Sequence, residues 1–263
     1  MAKITAIVNQ KGGVGKTTTA LNLSYALSKA GKKVLLIDFD PQTNLTVALG
    51  YFEDEYINIE NIMAAEIEEK EIKENFIINV KDNLDLIPSS LELAGIEMSL
   101  VNVMSREVIP KQVIQRIENN YDYIFIDCPP SLGMLTINAL TACNTVIIPV
   151  DAELFSVKGL ALLTNSISKI RKRLNPNIKV DGILVTRLNQ RTNLSKSMLK
   201  TLDESIGFIK NKFNLDMKIF DSKIPASVRA GEAISKMESV IEYDPKGKVS
   251  EAYQDFAKEW GEI

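Results

Sequence analysis

One segment constrains this chain more than any other: Gln10-Lys11-Gly12-Gly13-Val14-Gly15-Lys16-Thr17-Thr18, set between an apolar run and a helical pattern. Gly12, Gly13 and Gly15 let the backbone curl until consecutive N–H groups point at one anion. A helix starting at Thr17 adds the partial positive charge of its N-terminus. Lys16 is placed to reach the β- and γ-phosphates of a nucleotide, and the Thr17 hydroxyl is suited to a Mg²⁺ ion. Lys11 to Thr18, including Val14 and Thr18, therefore form the candidate cofactor-binding loop, with ATP and Mg²⁺ as the expected ligands. A loop of this kind needs a strand before it and a helix after it.

The rest of the chain supplies that context. Apolar runs at Ile4–Asn9, Val34–Asp38, Leu84–Pro88, Tyr123–Asp127, Thr145–Val150 and Val180–Thr186 read as strands. Helical spacing marks Thr17–Ala30, Val108–Asn119, Leu132–Ala142, Val157–Leu174 and Leu194–Phe213. Alternation of this sort predicts an α/β fold with a doubly wound, mostly parallel sheet and helices on both faces. Continuous apolar strands agree, because both of their faces are covered. The 263 residues suit one large wound domain or two small ones. Residues 51–74 hold nine acidic and two basic residues and read as a solvated helical insertion.

Two carboxylate-bearing strand ends accompany the loop. Val34–Asp38 runs into Phe39-Asp40-Pro41-Gln42, and Tyr123–Asp127 runs into Cys128-Pro129-Pro130-Ser131. Ligands of wound sheets sit at strand C-termini. Asp127 is placed to reach Mg²⁺, Asp38 to hold a magnesium-bound water, and Asp40 to orient an attacking water. Lys16 and Asp40 are the candidate catalytic residues; Thr17, Asp38 and Asp127 are the candidate metal-side residues.

The chain contains no histidine, which excludes histidine acid–base chemistry and histidine metal ligation. Cys128 and Cys143 lack the spacing of an iron–sulfur site and are expected to be core thiols. No apolar run reaches the ~18 residues of a membrane span, and no signal-peptide pattern opens the chain, so a cytoplasmic location is expected. Charge is uneven. Residues 158–236 carry 16 Lys/Arg against 6 Asp/Glu in a chain of net charge −3, which points to a polyanionic partner.

The loop departs from G-x-x-x-x-G-K-[ST]: Gln10 stands at the first glycine, and Lys11 precedes Lys16 by five positions. KGGVGKTT resembles the deviant Walker A motif of the ParA/MinD/nitrogenase-iron-protein class of P-loop ATPases. DFDPQTN, LIPSSLELAG, DCPPSLGMLTINAL, IIPVDAELFSVKGL and YDPKGKVSEAYQDFAKE extend the likeness across residues 3–260, and together they resemble the ParA/Soj family of DNA-partitioning ATPases. The resemblance implies one P-loop ATPase domain over residues 1–263 with slow ATP hydrolysis. It implies an ATP-dependent homodimer in which Lys11 touches the partner's nucleotide and is a third candidate catalytic residue, in the part an arginine finger plays elsewhere. It implies sequence-independent binding of double-stranded DNA, stimulation by a ParB-like centromere-binding protein, and association with the nucleoid. The family's DNA-binding arginines fall on Arg191 and Arg229, with Lys196, Lys200 and Lys236 as further candidates; Thr186, Arg187 and Pro225 join the candidate nucleotide contacts. A MinD-like membrane role needs a basic amphipathic C-terminal helix, whereas Ala252–Ile263 is acidic. No DNA-binding domain precedes Ile4, so autorepression by such a domain is not expected. A ParA-like ATPase that positions another cargo, or regulates replication or transcription, is the alternative.

Overall fold

The computed structural model describes residues 1–52, 56–72, 75–152, 157–189 and 192–261. Eight strands among them form one sheet: β1 Lys3–Ile7, β2 Val34–Asp38, β3 Ile78–Lys81, β4 Leu84–Ile87, β5 Tyr123–Asp127, β6 Thr145–Asp151, β7 Lys179–Leu188 and β8 Ile219–Pro225. Their order is β3-β4-β2-β5-β1-β6-β7-β8. Every neighbouring pair is parallel except β3–β4.

The strands are buried on both faces because alternate side chains feed two separate cores. Leu35, Ile37, Ile124, Ile126, Val146 and Ile148 join the first. It is covered by α3 (Ile59–Ile67), α4 (Leu93–Ser99), α5 (Ile109–Ile117), α6 (Met134–Ala142), α7 (Val157–Arg173) and α8 (Asn193–Phe213). Val34, Leu36, Phe125, Ile147 and Leu184 join the second. There the cover is α1 (Lys16–Lys29), α2 (Asn44–Ala48), α9 (Arg229–Ser235), α10 (Val240–Tyr243) and α11 (Lys248–Gly261). Trp260 of α11 packs on Phe125 with ring centroids 5.4 Å apart, and its indole N–H donates to Asp181 at 2.7 Å.

Four differences from the sequence reading have physical causes. The edge strand β3 pairs antiparallel through a bulge, and its four residues, Ile-Asn-Val-Lys, are too short for periodicity to separate from loop. Strand β8 reads Ile-Phe-Asp-Ser-Lys-Ile-Pro, with only part of it buried, as suits an edge. Within the acidic stretch, α3 buries Ile59, Ile62 and Met63. The spacing i, i+3, i+4 turns an apolar stripe inward, so this segment is core on one side rather than wholly solvated. Residues 53–55 and 73–74 of that stretch lie outside the described residues. Finally, β7 runs on to Leu188, past Thr186, because β8 pairs with its end at Leu188↔Pro225.

Candidate nucleotide site

The site grows from the centre of the sheet. After β1 the chain turns to α1 on one face; after β5 it turns to α6 on the other. A crevice therefore opens between adjacent strands β1 and β5 at their C-terminal ends. Register sets what enters it. Asp127 lies opposite Ile7 on one side and Asp38 on the other, so the two candidate carboxylates are neighbours across one strand pair.

The loop before α1 is held from several directions. Gly13 and Gly15 adopt φ of +74° and +83°, a left-handed region that a side chain would strain. The Asn9 amide donates to Pro149 O at 2.7 Å, and the Gln10 amide to Gly159 O at 3.1 Å. Thr186 donates its hydroxyl to Val14 O at 2.8 Å, which ties the loop to the end of β7. No side chain caps the start of α1, so its first N–H groups face the crevice without a protein anion. Lys16 is buried, and its Nζ donates to Lys11 O at 3.3 Å, bridging the two ends of the loop. Burial lowers its pKa, while nearby Asp127, Cys128 and Asp40 act in the opposite sense.

Three carboxylates cluster at these strand ends with different bonding. Asp38 is bonded on both oxygens by the segment that follows it: Asp40 N donates to one at 3.2 Å, and Thr46 of α2 donates its N–H and hydroxyl to the other at 2.9 and 2.7 Å. Asp40 accepts from Gln42 N at 3.0 Å and lines the cleft. Asp127 accepts the Thr17 hydroxyl on Oδ2 at 2.7 Å, while its Oδ1 is buried with no hydrogen-bond partner among the described residues. Burial, and then Asp38, push the Asp127 carboxyl well above its ordinary range; burial pushes Asp38 up to about 6.

An orphaned buried oxygen beside a threonine hydroxyl fits a hydrated Mg²⁺. Such an ion keeps several waters and takes few protein ligands, relying on phosphate oxygens for others. Consistent with that, no group of three His, Cys, Asp or Glu side chains suited to caging a metal is found among the described residues. Thr17, Asp127 and, through water, Asp38 are the residues that would hold it, and the ion would supply positive charge beside the phosphates.

A stability consequence follows. A carboxyl whose pKa is raised on folding stabilises the fold fully below its unfolded pKa and loses that contribution as pH rises through its folded pKa. Without nucleotide, stability should therefore fall as pH rises through about 6, the value for Asp38. Asp127→Asn, which removes a buried charge but keeps an acceptor for Thr17, should raise the nucleotide-free melting temperature by roughly 2–6 °C. It should also lose the extra stabilisation that MgATP gives over ATP with EDTA. Thermal unfolding with and without Mg²⁺ reads both effects; a lower melting temperature would contradict the strained-carboxylate account.

The cleft beyond the loop has a volume of about 950 Å³, inside the ~300–1,000 Å³ of small-molecule sites. Gly12, Gly13, Gly15, Lys16, Thr17, Thr18, Asp40, Thr186, Arg187 and Pro225 line it. Arg187 adopts φ of +52° and pairs its Nε with buried Asp151 at 3.3 Å. Of the far wall, the sequence reading named only Pro225, through the family resemblance. Ile224 to Val228, Gly231 and Tyr253 belong to β8, the turn after it, α9 and α11, none of which carries a phosphate-loop signature.

Residues 2–180 match a protein family described as an AAA domain. Over 98% of both chains, this chain is 42% identical to the sporulation initiation inhibitor protein Soj of Bacillus subtilis. It is 36% identical to the chromosome partitioning protein ParA of Caulobacter vibrioides, over 98% of this chain and 93% of that one. The chain belongs to the ParA/Soj ATPase family. Solved structures agree with the ParA/Soj assignment. Cobyrinic acid a,c-diamide synthase from Mycobacterium smegmatis, bound to an ATP analogue and magnesium, matches with TM-score 0.80 and 30% identity over 98% of this chain and 93% of that one. A plasmid partition protein from Borrelia burgdorferi matches with TM-score 0.67 and 31% identity over 93% and 98%. The protein is thus a P-loop ATPase with ATP and Mg²⁺ as cofactors. No helix among the described residues is long and apolar enough to cross a membrane.

The candidate DNA contacts lie on α8 and α9, which cover opposite faces of the sheet. Lys196 and Lys200 are exposed on the first half of α8, with Lys200 4.0 Å from Glu204. Arg229 opens α9, where it pairs with Glu232 at 2.9 Å and Asp244 at 3.9 Å. Lys236 is exposed at the end of α9. Arg191 lies outside the described residues. Both cysteines are free and buried.

Proposed function

We propose that this ATPase is a dimeric switch that binds double-stranded DNA without sequence preference in its ATP state and drives chromosome or plasmid partitioning. A ParB-like centromere-binding protein stimulates hydrolysis and resets it, and the protein works in the cytoplasm, associated with the nucleoid. In this reading residues 1–263 act as one ATPase unit. Backbone N–H groups from Gly12 to Thr18 cradle the phosphates, and Lys16 neutralises charge on the β- and γ-groups. Thr17, Asp127 and Asp38 hold hydrated Mg²⁺. Asp40 orients the attacking water, and Lys11 reaches the nucleotide of the partner subunit.

The observation that carries the reading is the position of Arg229. Val228 and Ala230 line the nucleotide cleft, and the exposed arginine stands between them. A nucleotide that moves this wall moves the cation with it. The ion pairs of Arg229 with Glu232 and Asp244 are exposed, so they cost little to exchange for DNA phosphate.

The test is fluorescence anisotropy of duplex DNA with ATP, with ADP and without nucleotide, across a salt series. Binding should require ATP, and log affinity should fall against log salt with a slope of roughly −0.9 per phosphate contact. Arg229→Glu should weaken all sequences alike while ATP binding persists. Equal binding in all three nucleotide states, or strong preference for one short sequence, would contradict the proposal.

A further inference from the structure

The segment Cys128–Gly133 follows the Asp127 carboxylate and contributes Pro130 to the nucleotide cleft. Its first end is fixed by the sheet: Phe39 N donates to Asp127 O at 2.9 Å, and Cys128 N donates to Ile7 O at 3.3 Å. Its other end is the start of α6. That helix has no capping side chain of its own, although every helix start leaves several N–H groups without intrahelical partners. The cap comes from another element. Leu135 N donates to Oε1 of Glu97, a residue of α4, at 3.1 Å. The carboxylate also complements the positive end of the α6 dipole.

Gly133 makes room for it. A Cβ at position 133 would stand 2.5 Å from Glu97 Oε1. The backbone there has φ of −76°, open to any residue, so a side chain at this position would displace the Glu97 carboxylate and leave the backbone unstrained. Leu93 and Ile96 anchor α4 in the core, so Glu97 works from a rigid base. Between the two anchors, Pro129 and Pro130 restrict φ, and the Thr136 hydroxyl donates to Ser131 O at 2.8 Å. A stiff segment pinned at both ends transmits a displacement of one end to the other.

We infer that Glu97 is a positioning residue for ATP hydrolysis: by capping α6 across a glycine gap, it sets where the Asp127–Pro130 segment sits against the γ-phosphate and Mg²⁺. The inference rests on the magnesium-side reading of Asp127. Glu97 touches no reacting group.

The test uses the full chain and the variants Glu97→Ala, Glu97→Gln, Gly133→Ala and the double alanine. Readouts are kcat and KM for MgATP, a Mg²⁺ titration at fixed ATP, and the melting temperature. Glu97→Ala should lower kcat roughly tenfold, less than the ~10²-fold cost of an ångström-scale misplacement, and shift the Mg²⁺ midpoint upward while KM stays within about twofold. Glu97→Gln keeps an oxygen acceptor and should restore most of kcat. Gly133→Ala should displace the same carboxylate, so the double variant should be no worse than either single one. Unchanged kcat in Glu97→Ala, failure of glutamine to rescue, or additive losses that track melting temperature would overturn the assignment. Asp127→Asn in the same assays separates the two readings. If it keeps a normal Mg²⁺ response, the magnesium-side reading fails; if it loses that response while Glu97→Ala is silent, only the role of Glu97 fails.

Discussion

Lys16→Ala is expected to abolish ATP hydrolysis, by roughly 10²–10³-fold or more, while the protein stays folded. The ammonium lies in a buried pocket where water does not screen it, so its field on a phosphoryl group far exceeds that of a surface lysine. Among the described residues its hydrogen bond is the 3.3 Å contact to Lys11 O, on a loop also held by Asn9, Gln10 and Thr186. Burial already disfavours the charge. Truncation therefore removes a desolvated cation with modest effect on stability. Steady-state ATPase rates and binding of a fluorescent ATP analogue should both collapse, with circular dichroism unchanged. Retained hydrolysis would overturn the phosphate-site assignment.

Lys11→Ala and Asp40→Ala should separate dimerisation from hydrolysis. The main chain of Lys11 makes two local bonds: its N–H donates to Asn9 at 3.0 Å and its carbonyl accepts from Lys16. Alanine keeps both bonds, so the variant tests the side chain alone. If that side chain acts across a dimer interface, Lys11→Ala should bind ATP with near-normal affinity and remain at its nucleotide-free mass in light scattering. Asp40→Ala gives up the bond from Gln42 N, worth about 1 kcal/mol, but no proposed phosphate contact. It should form the ATP dimer and persist in it, because water orientation is lost. A normal ATP dimer of Lys11→Ala would rule out the contact in trans.

What the chain declared by itself was local. Gly13 and Gly15 take the left-handed φ expected of a phosphate loop. A helix starts at Lys16 and strands end at Asp38 and Asp127, as glycine chemistry and apolar runs indicate. These signals lie within a few residues of the feature they specify, and no other part of the chain is needed to read them. Tertiary structure decided everything that joins distant positions. Thr17 bonds to Asp127 across 110 positions, and Thr186 to Val14 across 172. Sheet register sets Asp127 beside Asp38, and its Oδ1 meets no partner among the described residues. The far cleft wall other than Pro225 and the Glu97 cap belong to the same class, since β8 carries little apolar periodicity and Glu97 looks like any helix-surface carboxylate until Gly133 meets it. Backbone propensity and side-chain period encode an element and its buried face; which elements then touch depends on strand order and crossover direction, which no local window contains.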